Sequence, residues 1–176
     1  MTATTPLLRV VVLVSGRGSN LKAIAARADA GELPVRIEAV VSDRADAGAL
    51  EWAHAQGIAT SVLSPRDYPD RENYGRALGD LVESYAPQLV VLAGFMRILS
   101  DEFVLRFSGR MLNIHPSLLP RYAGLHTHRR ALEAGDREHG ASVHFVTPEL
   151  DGGPVVLQSR VPVRTDDDEA TLAARV

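Results

Sequence analysis

Cysteine is absent from this 176-residue chain. Disulfide frameworks, thiolate metal sites and cysteine nucleophiles are excluded with it. Basic charge is not in excess either: 19 lysines and arginines stand against 22 acids, a net charge of −3. A nucleic-acid binder of the basic stripe-and-patch kind is therefore excluded. No apolar run approaches the ~18 residues of a membrane span, so no membrane partner is expected. Residues 1–8 hold no basic segment followed by an apolar one, so no secretion signal is read and a cytoplasmic protein is expected. Internal repeats, low-complexity stretches and linkers are missing too. What is present is 45% apolar and 23% charged residues. That is the mixture of an ordinary globular domain, and it rules out a disordered or fibrous chain. One domain of this length buries about 70% of its extended-chain surface, and needs no disulfide or metal to staple it.

The run LRVVVLV at residues 8–14 is short, β-branched and without alternation, as suits a strand buried on both faces of a parallel sheet. It ends at Ser15-Gly16-Arg17-Gly18-Ser19-Asn20, after which Leu21, Ile24, Ala25 and Ala28 recur at helical spacing up to Gly31. Further strands are predicted at 37–41, 59–63 and 88–93. Helices are predicted at 47–56 and 70–85, the first closed by Gly57, the second followed by Pro87. This alternation predicts an α/β fold with a mostly parallel, doubly wound sheet. The second half changes character. A short helix is predicted at 100–107 with Ser100 as its N-cap. A strand follows at 111–114, a loop at 115–124 and a helix at 127–134. Strands at 141–146 and 155–163 are joined closely enough for an antiparallel hairpin. Asp166 to Glu169 supply a cap and first-turn acids for a last helix, which the end of the chain leaves barely two turns long.

Three places carry chemistry. The first is the loop after the first strand. Its glycines permit positive φ and close backbone approach, and the helix start offers free N–H groups to a phosphate. With no third glycine and no Gly-Lys-Ser/Thr, neither the dinucleotide fingerprint nor the P-loop is met. A phosphate monoester or mononucleotide fits better, though the same residues also suit a strand-to-helix turn with no ligand. The second is Asn113-Ile114-His115-Pro116. Asn113 and His115 leave a strand on one face, and Pro116 keeps His115 at the strand's mouth. A histidine titrates near neutrality and an asparagine amide can donate to a developing oxyanion. The alternative is a hydrogen-bonded edge histidine. The third is Asp151, in Asp151-Gly152-Gly153-Pro154. It reads either as a carboxylate capping its own turn or as one that orients His115 and relays protons through water. Ser142 and His144 form another same-face pair on the preceding strand. No Gly-x-Ser-x-Gly elbow for a serine hydrolase occurs. His126-x-His128 lacks the thiolate or acidic cluster a metal site needs, so no metal is expected.

Together these stretches resemble the glycinamide ribonucleotide transformylase family of folate-dependent formyltransferases. The resemblance rests on six segments in that family's order and spacing: Val14 to Asn20, Leu92 to Ser100, Leu112 to Pro120, Gly124 to His128, Ser142 to Val146 and Glu149 to Pro154. It implies a Rossmann-like formyltransferase fold with antiparallel C-terminal strands. It also implies one domain over 1–176, with a phosphate-binding half at 1–99 and a catalytic half at 100–176. In this reading Gly18, Ser19 and Asn20 cradle the substrate's phosphate, and Asn113, His115 and Asp151 are catalytic. Arg71 and Met96, the backbone of Arg97, Ile98 and Leu99, and the Thr147-to-Asp151 loop with Leu150 meet 10-formyltetrahydrofolate, the co-substrate. Ser142 and His144 line the pocket.

The resemblance implies direct attack by the amine of glycinamide ribonucleotide on the formyl carbon, without a metal. Asn113 and a protonated His115 stabilise the oxyanion, and Asp151 keeps His115 charged and moves protons. The partners are these two small molecules, and the enzyme is a monomer or homodimer. The alternatives are a formyltetrahydrofolate hydrolase, a formyltransferase for another amine, or a non-catalytic phosphate-binding module. The hydrolase carries an N-terminal regulatory domain in that family. The tRNA-directed relative is longer and differs in its first loop. The chain is expected to lack a few tens of C-terminal residues that complete the last helix and the ribose-phosphate side of the site.

Overall fold

A computed structural model describes residues 6–176. The signal reading over residues 1–8 thus falls largely outside the described residues. The chain divides into two compact units, the first ending at Met111 and the second covering Leu112–Val176.

The first unit alternates strands and helices: β1 (Leu8–Val14), α1 (Ser19–Asp29), β2 (Val35–Ser42), α2 (Gly48–Ala55), β3 (Ala59–Val62), α3 (Arg71–Ser84), β4 (Leu89–Leu92) and α4 (Asp101–Arg106). The strands run parallel in the order β3-β2-β1-β4. Their apolar runs make the core. Val10, Val12, Val14, Val40 and Val91 pack with Leu21 of α1 and with Ala49 and Ala53 of α2. Every one of these is at most 8% exposed, as a strand covered on both faces requires. Asp70 caps α3 by accepting from the Asn73 N–H at 2.7 Å. Ser100 caps α4 as expected, accepting from the Phe103 N–H. A single 3-10 turn at Pro65–Asp67, which the residue pattern does not announce, leads into α3.

The second unit holds most of β5 (Met111–His115), then α5 (Thr127–Glu133), β6 (Glu138–Phe145), β7 (Val155–Pro162) and α6 (Glu169–Arg175). β5 pairs with β6 and β6 with β7, both antiparallel. The expected class, an α/β fold whose mostly parallel strands give way to antiparallel ones toward the C-terminus, is the fold observed. Several element ends shift by a few residues, and two shifts bear on the site. β5 keeps His115 as its last residue, because that residue still pairs with Ser142. β6 begins three residues early, at Glu138-His139-Gly140, because the partner strand β7 supplies a ladder for residues of low strand preference. His128 lies in the first turn of α5, inside the helix expected at 127–134. α6 begins with a full capping box between Asp168 and Thr171.

Candidate active site

In the first unit the Gly16–Asn20 loop turns at Gly18, which has φ 74° and serves as the N-cap of α1. A Cβ there would fall 2.6 Å from the Ala49 Cβ. Two demands, left-handed backbone and contact with α2, therefore select glycine. No side chain caps α1. Its first N–H groups, with the exposed Ser19 and the half-buried Asn20 among them, are left for an anion.

The segment after β4 is bolted to the strand ends. The Ser15 hydroxyl accepts from the Met96 N–H at 2.8 Å, and Arg97 Nε donates to the buried carboxylate of Asp43 at 2.5 Å. Phe95 and Leu99 point into the core, while Met96 and Ile98 stand 71% and 66% exposed. Leu99 thus offers a ligand its backbone only. A cavity of about 290 Å³ brings Arg71, Arg97 and Ile98 together with Tyr68 and Tyr74. Aromatic faces beside arginines are chemically fit for the aryl and glutamyl parts of a folate. Burial, and then the Asp43 charge, push the Tyr74 hydroxyl above its ordinary value, so it stays neutral.

The second unit builds the reactive cluster. Antiparallel register sets Asn113 opposite His144. Opposed residues share a face, and Asn113 Nδ2 comes 3.1 Å from His144 Nε2. His144 Nδ1 donates to the Phe145 carbonyl at 3.0 Å, so its Nε2 is the acceptor for the asparagine amide. This network fixes the amide's orientation. Among the described residues, the second amide hydrogen of Asn113 has no partner. Asp151 approaches both histidines: Oδ2 lies 3.5 Å from His115 Nδ1 and Oδ1 lies 3.7 Å from His144 Nε2. The first is an ion-pair approach rather than a formed hydrogen bond. His115 Nε2 donates to the Tyr122 carbonyl at 2.9 Å. Both nitrogens of His115 therefore face oxygen acceptors, which a doubly protonated ring satisfies. His115, His144 and the Asp151 side chain are all under 10% exposed, so these groups interact away from bulk water.

Asp151 does not cap its own turn. Its Oδ2 accepts from the Gly124 N–H at 2.8 Å instead. The Gly-Gly that follows has a packing reason: a Cβ on Gly153 would fall 1.8 Å from the Phe145 carbonyl oxygen. The turn thus lies flat on the end of β6, which aims Asp151 at the two histidines.

The Ser142 hydroxyl is engaged within the second unit. It donates to the Ser117 carbonyl at 2.6 Å and accepts from the Leu119 N–H at 3.1 Å and from Gln158. It is wholly buried and holds the loop after His115. Thr147 donates weakly to the Glu149 carbonyl, and Leu150 stands 59% exposed. His128 turns to His139, Nδ1 to Nε2 at 3.1 Å. Among the described residues no group of histidines and acids is arranged to hold a metal ion. The residues this reading missed are Tyr122 and Gly124. They act through backbone groups, which leave no side-chain signal, although the glycine is a weak one.

A formyltransferase is the class these two units describe: a phosphate-suited loop in one, and an asparagine–histidine–aspartate cluster in the other. The formyl transferase family model matches residues 8–176, and the chain belongs to that family. The phosphoribosylglycinamide formyltransferase of Escherichia coli is 56% identical to it over 169 residues, covering 96% of this chain and 80% of that protein. A solved phosphoribosylglycinamide formyltransferase from Coxiella burnetii, bound to CHES, superposes with a TM-score of 0.92 at 48% identity, over 97% of this chain and 80% of that one. Glycinamide ribonucleotide transformylase 1 from Symbiobacterium toebii superposes at 0.95 with 42% identity, over 99% and 82%.

Proposed function

We propose that this chain transfers a formyl group from 10-formyltetrahydrofolate to the primary amine of glycinamide ribonucleotide, a step of de novo purine biosynthesis. The observation that carries the reading is the joint engagement of Asn113, His115, His144 and Asp151, in a chain 56% identical to an enzyme named for this reaction.

Gly18, Ser19 and Asn20 hold the substrate phosphate with the free N–H groups that start α1. Arg71, Met96, the backbone from Arg97 to Leu99, and Thr147 and Leu150 hold the folate. The amine attacks the formyl carbon, and the new C–N bond forms as the carbonyl electrons move onto oxygen. The free N–H of Asn113 and the positive charge of a doubly protonated His115 stabilise that oxyanion. Collapse breaks the bond from the formyl carbon to the folate nitrogen. One proton leaves the attacking amine and one arrives at the departing nitrogen, and Asp151 manages that traffic through water. The amine is already a nucleophile, so the scheme needs neither a metal nor a covalent enzyme intermediate. The reaction belongs in the cytoplasm, with the enzyme a monomer or homodimer.

Removing one oxyanion donor commonly costs ~100- to 1,000-fold in turnover. Asn113→Ala, His115→Ala and Asp151→Ala are each expected to lose that much formyl transfer while glycinamide ribonucleotide still binds. Wild-type turnover in any of them removes that residue from its role.

A further inference from the structure

We propose that Tyr122, latched by Asp136, is a positioning residue for His115. The proposal rests on His115 having the role just given. Three consecutive residues bridge the reactive groups through their backbone. The Tyr122 carbonyl accepts from His115 Nε2 at 2.9 Å, and the Gly124 N–H donates to Asp151 at 2.8 Å. The bridge Tyr122-Ala123-Gly124 therefore sets where the imidazole sits relative to the carboxylate. It does so in an unusual backbone: Tyr122 has φ 56° and Gly124 φ 82°. Left-handed φ on a bulky non-glycine residue is strained, and it persists only where surroundings hold it.

The holding groups come from α5 and the turn after it. The Tyr122 hydroxyl donates to Asp136 Oδ2 at 2.7 Å, and that bond is the first reason the hydroxyl's pKa is raised. The Arg130 guanidinium lies 5.2 Å over the Tyr122 ring and donates from Nη1 to the Ala123 and Leu125 carbonyls at 2.7 and 3.3 Å. Asp136 is itself fixed by its N–H, which donates to the Ala131 carbonyl, and by Arg121 at 3.3 Å. With the hydroxyl bond removed, the Tyr122 ring keeps only its ring contacts with Arg130 and His139, neither of which fixes the rotation of the residue as a directed hydrogen bond does. Its strained carbonyl is then free to relax away from His115.

The test uses the full chain. Tyr122→Phe and Asp136→Ala are each expected to lower kcat about tenfold with KM for both substrates within twofold. Asp136→Asn, which keeps an acceptor oxygen for the hydroxyl, is expected to recover most of that loss. In nitrogen-15 spectra the His115 Nε2 resonance shifts in the first two variants and returns in the third. A purely structural role would lower the melting temperature and leave that resonance alone, and that result overturns the proposal. So does wild-type kcat in Tyr122→Phe when His115→Ala is inactive. If His115→Ala itself keeps wild-type turnover, the assignment of His115 falls first and this one with it.

Discussion

Asp151 faces three demands with one carboxylate: the Gly124 N–H, His115 and His144. The N–H contact is structural and the histidine contacts are electrostatic, so an isosteric change separates them. Asp151→Asn retains an acceptor for Gly124 but removes the negative charge. It is expected to fold normally by circular dichroism and to lose roughly 100-fold in kcat, the scale at which an acid–base group contributes. Gly153→Ala tests how that carboxylate is aimed. A Cβ 1.8 Å from the Phe145 carbonyl cannot be accommodated without moving the turn. Turnover should fall at least tenfold while substrate phosphate binding in the other unit stays within twofold. Much of this cluster was readable from residues alone. Alternation along a strand puts Asn113 with His115, and Ser142 with His144, on common faces. Alternation does not say which oxygen a hydroxyl meets, so the bond from Ser142 to the Ser117 carbonyl is not legible in it. Tyr122 was illegible because its contribution is a carbonyl in a left-handed turn, and nothing about a tyrosine signals that conformation.

At the scale of elements, packing can overrule propensity. Gly75 lies inside α3, where alanine is ordinarily worth about 1 kcal/mol more than glycine. A Cβ there would stand 2.0 Å from Ser100 Oγ and 2.9 Å from its Cβ. Rotating the hydroxyl away gives up the α4 cap, at about 1 kcal/mol, and overpacking costs about 1–3 kcal/mol more. Gly75→Ala is therefore expected to destabilise the chain by about 1 kcal/mol or more in urea unfolding, against the propensity scale. The His128–His139 contact between α5 and β6 predicts a pH dependence. Burial holds both rings below the ordinary histidine value, with the neighbouring histidine adding to the effect at His139. The unfolded chain therefore takes up protons first as pH falls. Stability is complete above about pH 6.5 and declines below it, until the folded rings also protonate. The melting temperature should drop from pH 7 to pH 5, and by less in His128→Asn. Elements were legible where they carry their own signal. β1 from Val10 onward and β4 announce themselves as unbroken apolar runs, and α4 by its cap. The start of β6 at Glu138 exists only because β7 lies beside it, and local pattern cannot report a partner from another part of the chain.

At the scale of the whole molecule, the chain spans 80% of the length of its Escherichia coli relative. In the proposed function the loop at Gly18 and the cavity at Arg71 and Arg97 bind, while Asn113, His115 and Asp151 transform. Among the described residues no helix is long and apolar enough to cross a membrane. The central claim is that the formyl group passes to an amine rather than to water. The most direct test follows conversion of 10-formyltetrahydrofolate to tetrahydrofolate by the purified chain, with and without glycinamide ribonucleotide. Conversion only when the amine is present, with formylated glycinamide ribonucleotide formed in equal amount, is the predicted result. Formate released at the same rate without the amine, or no conversion in either case, would contradict it.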